Sequence, residues 1–378
     1  MAEFFLEDTK TIINKRNYCE YWFWDRYSIN PYKGCMFGCT YCDSRSQKYY
    51  LPEDFENKII VKQPVDILLQ KRLKGARTFK QDVVVIGGVT DPYQPIEKRY
   101  QNTRKILQVL KTFRYPVHII TKSQQVLRDA ELLNDIAQQT WCTVSVSINT
   151  LDPNHSKFLD HRSPPPRNRL RVIEQMKTQY PDIQVGVTMM PIAPGLGDDE
   201  ASMLALMHQA KDHGADYVMF SVGMTLRDQQ AVWFLRKLHE YAPQLMPLYE
   251  QLYQFRYHPD HYNGRYGPSH AYIKDKQQFL LSQSKALDIP FTIARFLPKD
   301  YRHWNFRLAE RLFRAARYLQ LQGQPAKKWT LLASKVNDFN RDIRQVFTDE
   351  SIYQWPEVDD QLRLKLKQFA QEELLREA

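Results

Sequence analysis

Cys35, Cys39 and Cys42 gather three of the chain's five cysteines into eight residues, within Asn30-Pro31-Tyr32-Lys33-Gly34-Cys35-Met36-Phe37-Gly38-Cys39-Thr40-Tyr41-Cys42. Thiolates at x3 and x2 spacing on a tight loop can converge on one centre, and an iron–sulfur cluster or a zinc ion is the usual occupant. Three is the informative number. A [4Fe–4S] cluster on three thiolates keeps one iron open to another ligand, whereas a structural zinc needs a fourth protein ligand, here Cys19 or a histidine. Zinc folds usually present paired C-x2-C knuckles and need no β/α barrel around them, so the surrounding elements bear on the choice.

Those elements alternate. Residues 26 to 30 form a short strand entering the cysteine loop, and Asp82 to Gly88 is a continuous apolar run of the kind that fills a strand covered on both faces. Helical spacing follows from Pro95 to Thr112, then a strand over Val117 to Thr121 and a helix over residues 124 to 139. Thr143 to Ile148 alternates strictly, as suits a strand with small polar residues facing an interior. A helix over 167 to 178, a strand over 183 to 189, a helix over 199 to 212 and a strand over 217 to 222 complete the series. Such alternation demands parallel strands joined by right-handed crossovers. Six strands predict an α/β fold, a partial (β/α)6 TIM-like barrel, with a mainly helical C-terminal extension. The expected division is an aromatic-rich cap over 1–25, the barrel over 26–225, and a helical region over 226–378 that could bind substrate.

Bulk properties set outer bounds. The 378 residues, 43% hydrophobic and 25% charged, suit a globular protein with a substantial core. No apolar run is long enough to span a bilayer, and Met1-Ala2-Glu3-Phe4-Phe5-Leu6-Glu7 carries acids where a signal peptide carries bases. The expectation is a cytoplasmic protein without a membrane partner. Five cysteines, three of them clustered, do not make a disulfide framework. A net charge of +10 suits an anionic partner such as nucleic acid and equally serves solubility.

The cysteine triplet, with Tyr41 before its last member and a β/α series after it, resembles the signature of the radical SAM enzymes. The resemblance implies a [4Fe–4S] cluster on Cys35, Cys39 and Cys42, with S-adenosyl-L-methionine (SAM) chelated by the open iron. It also implies reductive cleavage of SAM to a 5′-deoxyadenosyl radical, fed by an electron donor such as flavodoxin or ferredoxin. Three further stretches narrow it: Asn30-Pro31-Tyr32-Lys33-Gly34-Cys35, Gly88-Val89-Thr90-Asp91-Pro92-Tyr93-Gln94-Pro95 and Ser147-Ile148-Asn149-Thr150-Leu151-Asp152. In combination, over residues 26 to 225, they resemble the spore photoproduct lyase-like group of that superfamily.

What that likeness implies for the site can be written residue by residue. Gly87, Gly88, Thr90 and Asp91 take the place of the strand end that receives the SAM amino group, with aspartate where the superfamily usually has glutamate. Ser145, Ser147 and Asn149 project where ribose or carboxylate contacts lie, Asp160 and Arg162 where the group carries an acid and an arginine, and Gly195 in a loop bordering adenine. The plain counterparts are turn glycines, small interior serines and a buried Cys142. Spore photoproduct lyase proper adds a cysteine near the second strand as hydrogen donor; Val85 to Asp91 contains none. Tyr93, Tyr32 or a tyrosine of the C-terminal region would then relay the hydrogen atom.

The implied substrate is nucleic acid, through lesion repair or base modification. In Phe255 to Tyr266, arginines and histidines interleave with tyrosines, a pattern suited to phosphates and stacked bases, and equally to a surface loop of snorkelling side chains. Two alternatives stay open: radical chemistry on a peptide or small molecule, and a zinc-stabilised, non-catalytic nucleic-acid-binding protein.

Overall fold

Short runs, more than half of them rich in β-branched residues, build two sheets in the computed structural model, which describes residues 2–374 apart from positions 53 and 77. The strands, in chain order, are β1 (Glu3–Asp8), β2 (Ile13–Glu20), β3 (Asp25–Ile29), β4 (Tyr32–Lys33), β5 (Lys58–Gln63), β6 (Val84–Ile86), β7 (Val117–Thr121), β8 (Cys142–Ser147), β9 (Gln184–Ile192) and β10 (Val218–Val222). The larger sheet has the order β10-β9-β8-β7-β6-β3-β2. Its neighbours from β3 to β10 are parallel throughout, giving the six parallel strands expected of a (β/α)6 partial barrel. In the smaller sheet β5 lies between β1, its parallel partner, and β4, which runs antiparallel.

Helices return the chain between the parallel strands because their apolar positions recur on one face. Asn102–Thr112 buries Ile106, Leu107 and Leu110, and Pro166–Gln179 buries Leu170, Ile173 and Met176; each such side chain contributes about 1.5–3 kcal/mol. Carboxylates stop the backbone where helices begin: Asp152 accepts from the amides of Asn154 and His155, and Asp199 from that of Ser202. The single helix expected over 95–112 is interrupted at Gln101, whose φ of 52° separates Glu97–Tyr100 from Asn102–Thr112. The helix expected over 124–139 opens with a 3₁₀ stretch, Gln124–Asp129.

The chain divides into two compact units, one of Met1–Lys15 with Tyr27–Ile293, the other of Arg16–Arg26 with Ala294–Ala378. The division expected at 225/226 therefore lies at 293/294. The helices Asp228–Tyr241 and Met246–Tyr253 share a core with Leu159, Ala193, Leu196 and Met224 of the barrel loops, which is why they stay with the barrel. The N-terminal stretch does not form one cap: β1 joins the smaller sheet, and residues 16–26 belong to the second unit. There Tyr21 stacks on Phe313 at 4.9 Å, and the Arg295 guanidinium lies 4.6 Å from the Trp24 ring and 3.9 Å from that of Phe306. Among the described residues no helix is long and apolar enough to cross a membrane.

Candidate cluster and cofactor site

The cysteine loop leaves the C-terminal end of β3 through β4 and turns on two glycines. At Gly34 (φ +85°) a Cβ would stand 2.6 Å from the carbonyl oxygens of Phe55 and Lys58, so only glycine fits. Local bonds then fold the loop: Cys35 N–H donates to Phe55 O (2.9 Å), Gly38 N–H to Cys35 O (3.1 Å) and Cys42 N–H to Cys39 O (3.2 Å). Arg45 closes it from behind, donating to Gly38 O and Glu56 (both 3.2 Å) while its guanidinium lies between the rings of Phe55 and Trp233, at 4.6 and 4.1 Å.

Cys35 and Cys39 are buried with Phe37 and Phe55, and Cys42 packs against the same cluster. Burial, reinforced by the nearby charges of Asp91 and Cys42, pushes the Cys35 thiol up to about 12. Burial likewise raises Cys39, where Asp160 and the other two cysteines add to the effect, and Cys42. Three buried thiols gathered in one apolar cluster are a donor set suited to a cation that binds thiolates. Among the described residues no three Cys, His, Asp or Glu side chains converge as ligands of a single ion would. A cluster asks for something else, since each thiolate holds a separate iron.

Residues 87–94 form a strap beside the loop. Gly87 (φ +105°) is packed hard, with a hypothetical Cβ 2.3 Å from Ile120 O, whereas a Cβ on Gly88 would meet nothing within 4 Å. Asn30 Oδ1 accepts from the amides of Val89 (3.1 Å) and Thr90 (3.4 Å), Thr90 Oγ1 donates to Tyr32 O (3.2 Å), and Ser44 Oγ donates to Val89 O (2.8 Å). Asp91 fastens the strap to β7: its carboxylate accepts from Tyr93 N–H (2.9 Å), Thr121 Oγ1 (2.7 Å) and Lys122 N–H (2.7 Å). Desolvation raises its pKa in spite of these bonds.

On the other side of the loop, Thr40 N–H donates to Leu159 O at 3.0 Å, which sets Cys39 near Asp160. Asp160 is buried and accepts from Arg169 Nη1 at 2.7 Å, with Lys122 Nζ at 3.9 Å. Burial alone would raise the Asp160 pKa; Lys122 and Arg169 overcome it and hold the carboxyl below its usual range. Arg169 also donates to Pro164 O (2.7 Å) and Ser147 O (2.9 Å). Yet Asp160 Oδ1 and Arg169 Nη2 are buried without a hydrogen-bond partner. Tyr41 donates to Asn149 Oδ1 (3.1 Å), and Asn149 Nδ2 to Pro191 O (2.8 Å).

The arginine paired with Asp160 is thus Arg169. Arg162 turns away, donating to Glu56 O and Asn57 Oδ1. The β8 hydroxyls occupy successive layers. Ser145 is closed into a network with His118 Nε2 and Tyr217 OH, each at 2.7 Å, and Tyr217 OH also reaches Thr143 (3.1 Å). The Tyr217 ring can cross β9 there because residue 186 is glycine; a Cβ would stand 2.6 Å from the ring. One layer up, Ser147 Oγ accepts from Thr188 at 3.0 Å. Gly195 (φ +73°) donates to Asp198 Oδ1 at 2.8 Å, and a Cβ there would meet Leu245 at 2.6 Å.

Neither tyrosine expected as a relay has a free hydroxyl: Tyr93 donates to Asp129 (3.1 Å) and Tyr32 to Glu97, in a buried ionic cluster completed by Arg128. In the Phe255–Tyr266 segment Arg256 extends into solvent, Tyr257 stacks on His239 at 5.0 Å, and Tyr262 OH is spent on Arg265 O. Tyr266 is 58% exposed, with the Arg227 guanidinium 5.3 Å from its ring, and Arg227 also pairs with Asp43 at 2.5 Å, one residue beyond Cys42. Lys122, Arg169 and Arg45 were missed as site residues. Arg169 carried a signal: it occupies the buried face of its helix, in period with Leu170, Ile173 and Met176.

The sequence model of the radical SAM superfamily matches residues 29–208, a span that contains the cysteine loop, the strap, Asp160 and Arg169. An uncharacterised protein of Mycobacterium tuberculosis is 32% identical over 233 residues, covering 61% of this chain and 67% of its own length. An uncharacterised protein of Methanocaldococcus jannaschii is 33% identical over 178 residues, 46% of this chain and 63% of its own. The structure of a spore photoproduct lyase variant superposes with a TM-score of 0.52 at 16% identity over 72% of this chain and 78% of that one, a likeness of fold. With the cysteine triplet at the end of the first parallel strand of a six-stranded half-barrel, the chain belongs to the radical SAM superfamily, a superfamily of enzymes.

Proposed function

We propose that Cys35, Cys39 and Cys42 hold a [4Fe–4S] cluster, that SAM binds between the cysteine loop, Gly88 and the Asp160–Arg169 pair, and that the substrate is nucleic acid. With both cofactors in place the chemistry supplied would be one-electron reductive cleavage of the sulfonium C5′–S bond of SAM, the electron coming from the external donor, to give methionine and a 5′-deoxyadenosyl radical. The observation that carries this reading is the pair of buried atoms that make no hydrogen bond close to Cys39, Arg169 Nη2 and Asp160 Oδ1, the latter with Lys122 Nζ 3.9 Å away. A buried polar group without a partner costs about 1–3 kcal/mol, and a bound ligand with hydroxyl and carboxylate groups would relieve both. Arg169 and Lys122 would orient a carboxylate, Asp160 would accept from a ribose hydroxyl or amine, and Gly88 would let the ligand approach the backbone. An electron donor such as flavodoxin or ferredoxin would feed the site.

Support for a nucleic-acid substrate comes from the net charge of +10 and from exposed Tyr266, which lies over the Arg227 guanidinium near the loop. A spore photoproduct lyase of the same fold has been captured with a dinucleoside spore photoproduct. Anaerobic reconstitution with iron and sulfide, reduction and addition of SAM should yield 5′-deoxyadenosine, and Cys39→Ala should abolish it. A colourless, zinc-loaded protein that leaves SAM intact overturns the reading. Nucleic-acid binding that weakens steeply with salt supports the substrate class; a flat dependence points to a peptide or small molecule.

A further inference from the structure

The geometry points to Gln94 as a positioning residue for the cluster, one that fixes Cys35 before any iron arrives; this rests on the function proposed above. Gln94 is fully buried. Its Oε1 accepts from Met36 N–H at 2.9 Å, and its Nε2 donates to Gly34 O at 3.1 Å. These two groups belong to the peptides on either side of the Cys35 Cα. The other polar groups of those peptides are also taken: Cys35 N–H by Phe55 O, and Cys35 O by Gly38 N–H. All four are engaged, so the φ and ψ of Cys35 are held from both ends. A carboxamide suits the task because it presents one donor and one acceptor side by side; a carboxylate or an amine offers only one of the two.

Gln94 is itself anchored. Its carbonyl accepts from Glu97 N–H (2.9 Å), the preceding carbonyl of Tyr93 accepts from Gln125 Nε2 (3.0 Å), and Asp91 caps the turn through Tyr93 N–H. The strap that leaves Gly88 open therefore also carries the clamp on the first cysteine. Cys39 and Cys42 are tethered differently: Thr40 N–H donates to Leu159 O (3.0 Å) and Gln230 Nε2 to Tyr41 O (3.2 Å), while their turn is closed by Cys42 N–H to Cys39 O and by Arg45 on Gly38 O.

The test uses the full chain. In the iron-free protein under anaerobic conditions, alkylation of each cysteine is followed by mass spectrometry in wild type, Gln94→Leu and Gln94→Glu. Gln94→Leu, which deletes both bonds, should speed alkylation of Cys35 by about tenfold and leave buried Cys142 unchanged. After reconstitution, the same variant should lose iron to a chelator several times faster than wild type and broaden the electron paramagnetic resonance spectrum of the reduced cluster. Unchanged Cys35 reactivity and iron retention in a cooperatively melting Gln94→Leu overturn the proposal. Should that variant not fold, Gln94→Glu decides: it keeps the acceptor for Met36 but loses the donor to Gly34, so an accelerated Cys35 supports the clamp and a wild-type rate refutes it. A wild-type protein that takes up no cluster refutes the functional reading alone, because the alkylation rates still decide the role of Gln94.

Discussion

Arg169 Nη1 donates to Asp160 across nine residues at 2.7 Å, with both side chains withdrawn from water. Removing one member of such a pair strands the other's charge, at a cost of about 3–5 kcal/mol. Arg169→Leu should lower the unfolding free energy of the cofactor-free protein by that amount in urea titrations. Arg169→Lys should rescue little, since Arg169 reaches Pro164 O from Nε and Asp160 and Ser147 O from Nη1, a spread that the single nitrogen of an ammonium does not reproduce.

Arg162 provides the contrast. It bonds the Glu56–Asn57 turn and not Asp160, so Arg162→Ala should change stability by less than about 1 kcal/mol. Equilibrium dialysis should find its SAM affinity near that of wild type. A loss matching that of Arg169→Leu would mean that the neighbouring arginine, not the helical one, serves the cofactor.

The two adjacent glycines should behave in opposite ways. Gly87→Ala drives a methyl against Ile120 O at a φ of +105°, and should cost more than about 2 kcal/mol of stability. Gly88→Ala meets open space and should melt as wild type does. If SAM lies against that backbone, Gly88→Ala weakens its binding by about tenfold, equivalent to about 1.4 kcal/mol; unaltered binding would place SAM elsewhere.

Glu20, in the second unit, gives a pH signature. Desolvation raises its pKa above the ordinary 4.5, against the amides of Trp22 and Phe23. Between 4.5 and the raised value the folded state holds more proton than the unfolded state, so this group's contribution to stability falls as pH rises through that window. Calorimetry should show the wild-type melting temperature dropping relative to that of Glu20→Gln as pH increases from 4.5 to 7. The opposite slope would mean that the Arg16 charge outweighs desolvation.

The half-barrel was legible because most of its strands are apolar runs or strict alternations and its helices keep one apolar face, all short-range patterns. The unit boundary was not, since the texture change near residue 226 marks where strands end, while Phe234, Leu238 and Tyr249 still pack against Leu159 and Leu196. Spacing identified the cysteines, whose turn is local. The family likeness placed Arg162 beside Asp160, whereas the arginine that bonds Asp160 is Arg169, carried nine residues on by the helix Pro166–Gln179. Gln94 was quoted only as part of a motif, since nothing in a linear string shows that its amide meets Gly34 and Met36.

Tyr217, Ser145, His118 and Thr143 bond to one another near the N-terminal ends of β7 to β10, while the cysteines, Gly88, Lys122 and Asn149 all follow C-terminal strand ends. Such a stopper fills that end of the sheet with buried, mutually bonded side chains. If a reactive species is made beside the cysteines, as proposed above, it would meet this buried network toward the N-terminal strand ends, and its substrate would approach from the C-terminal ends.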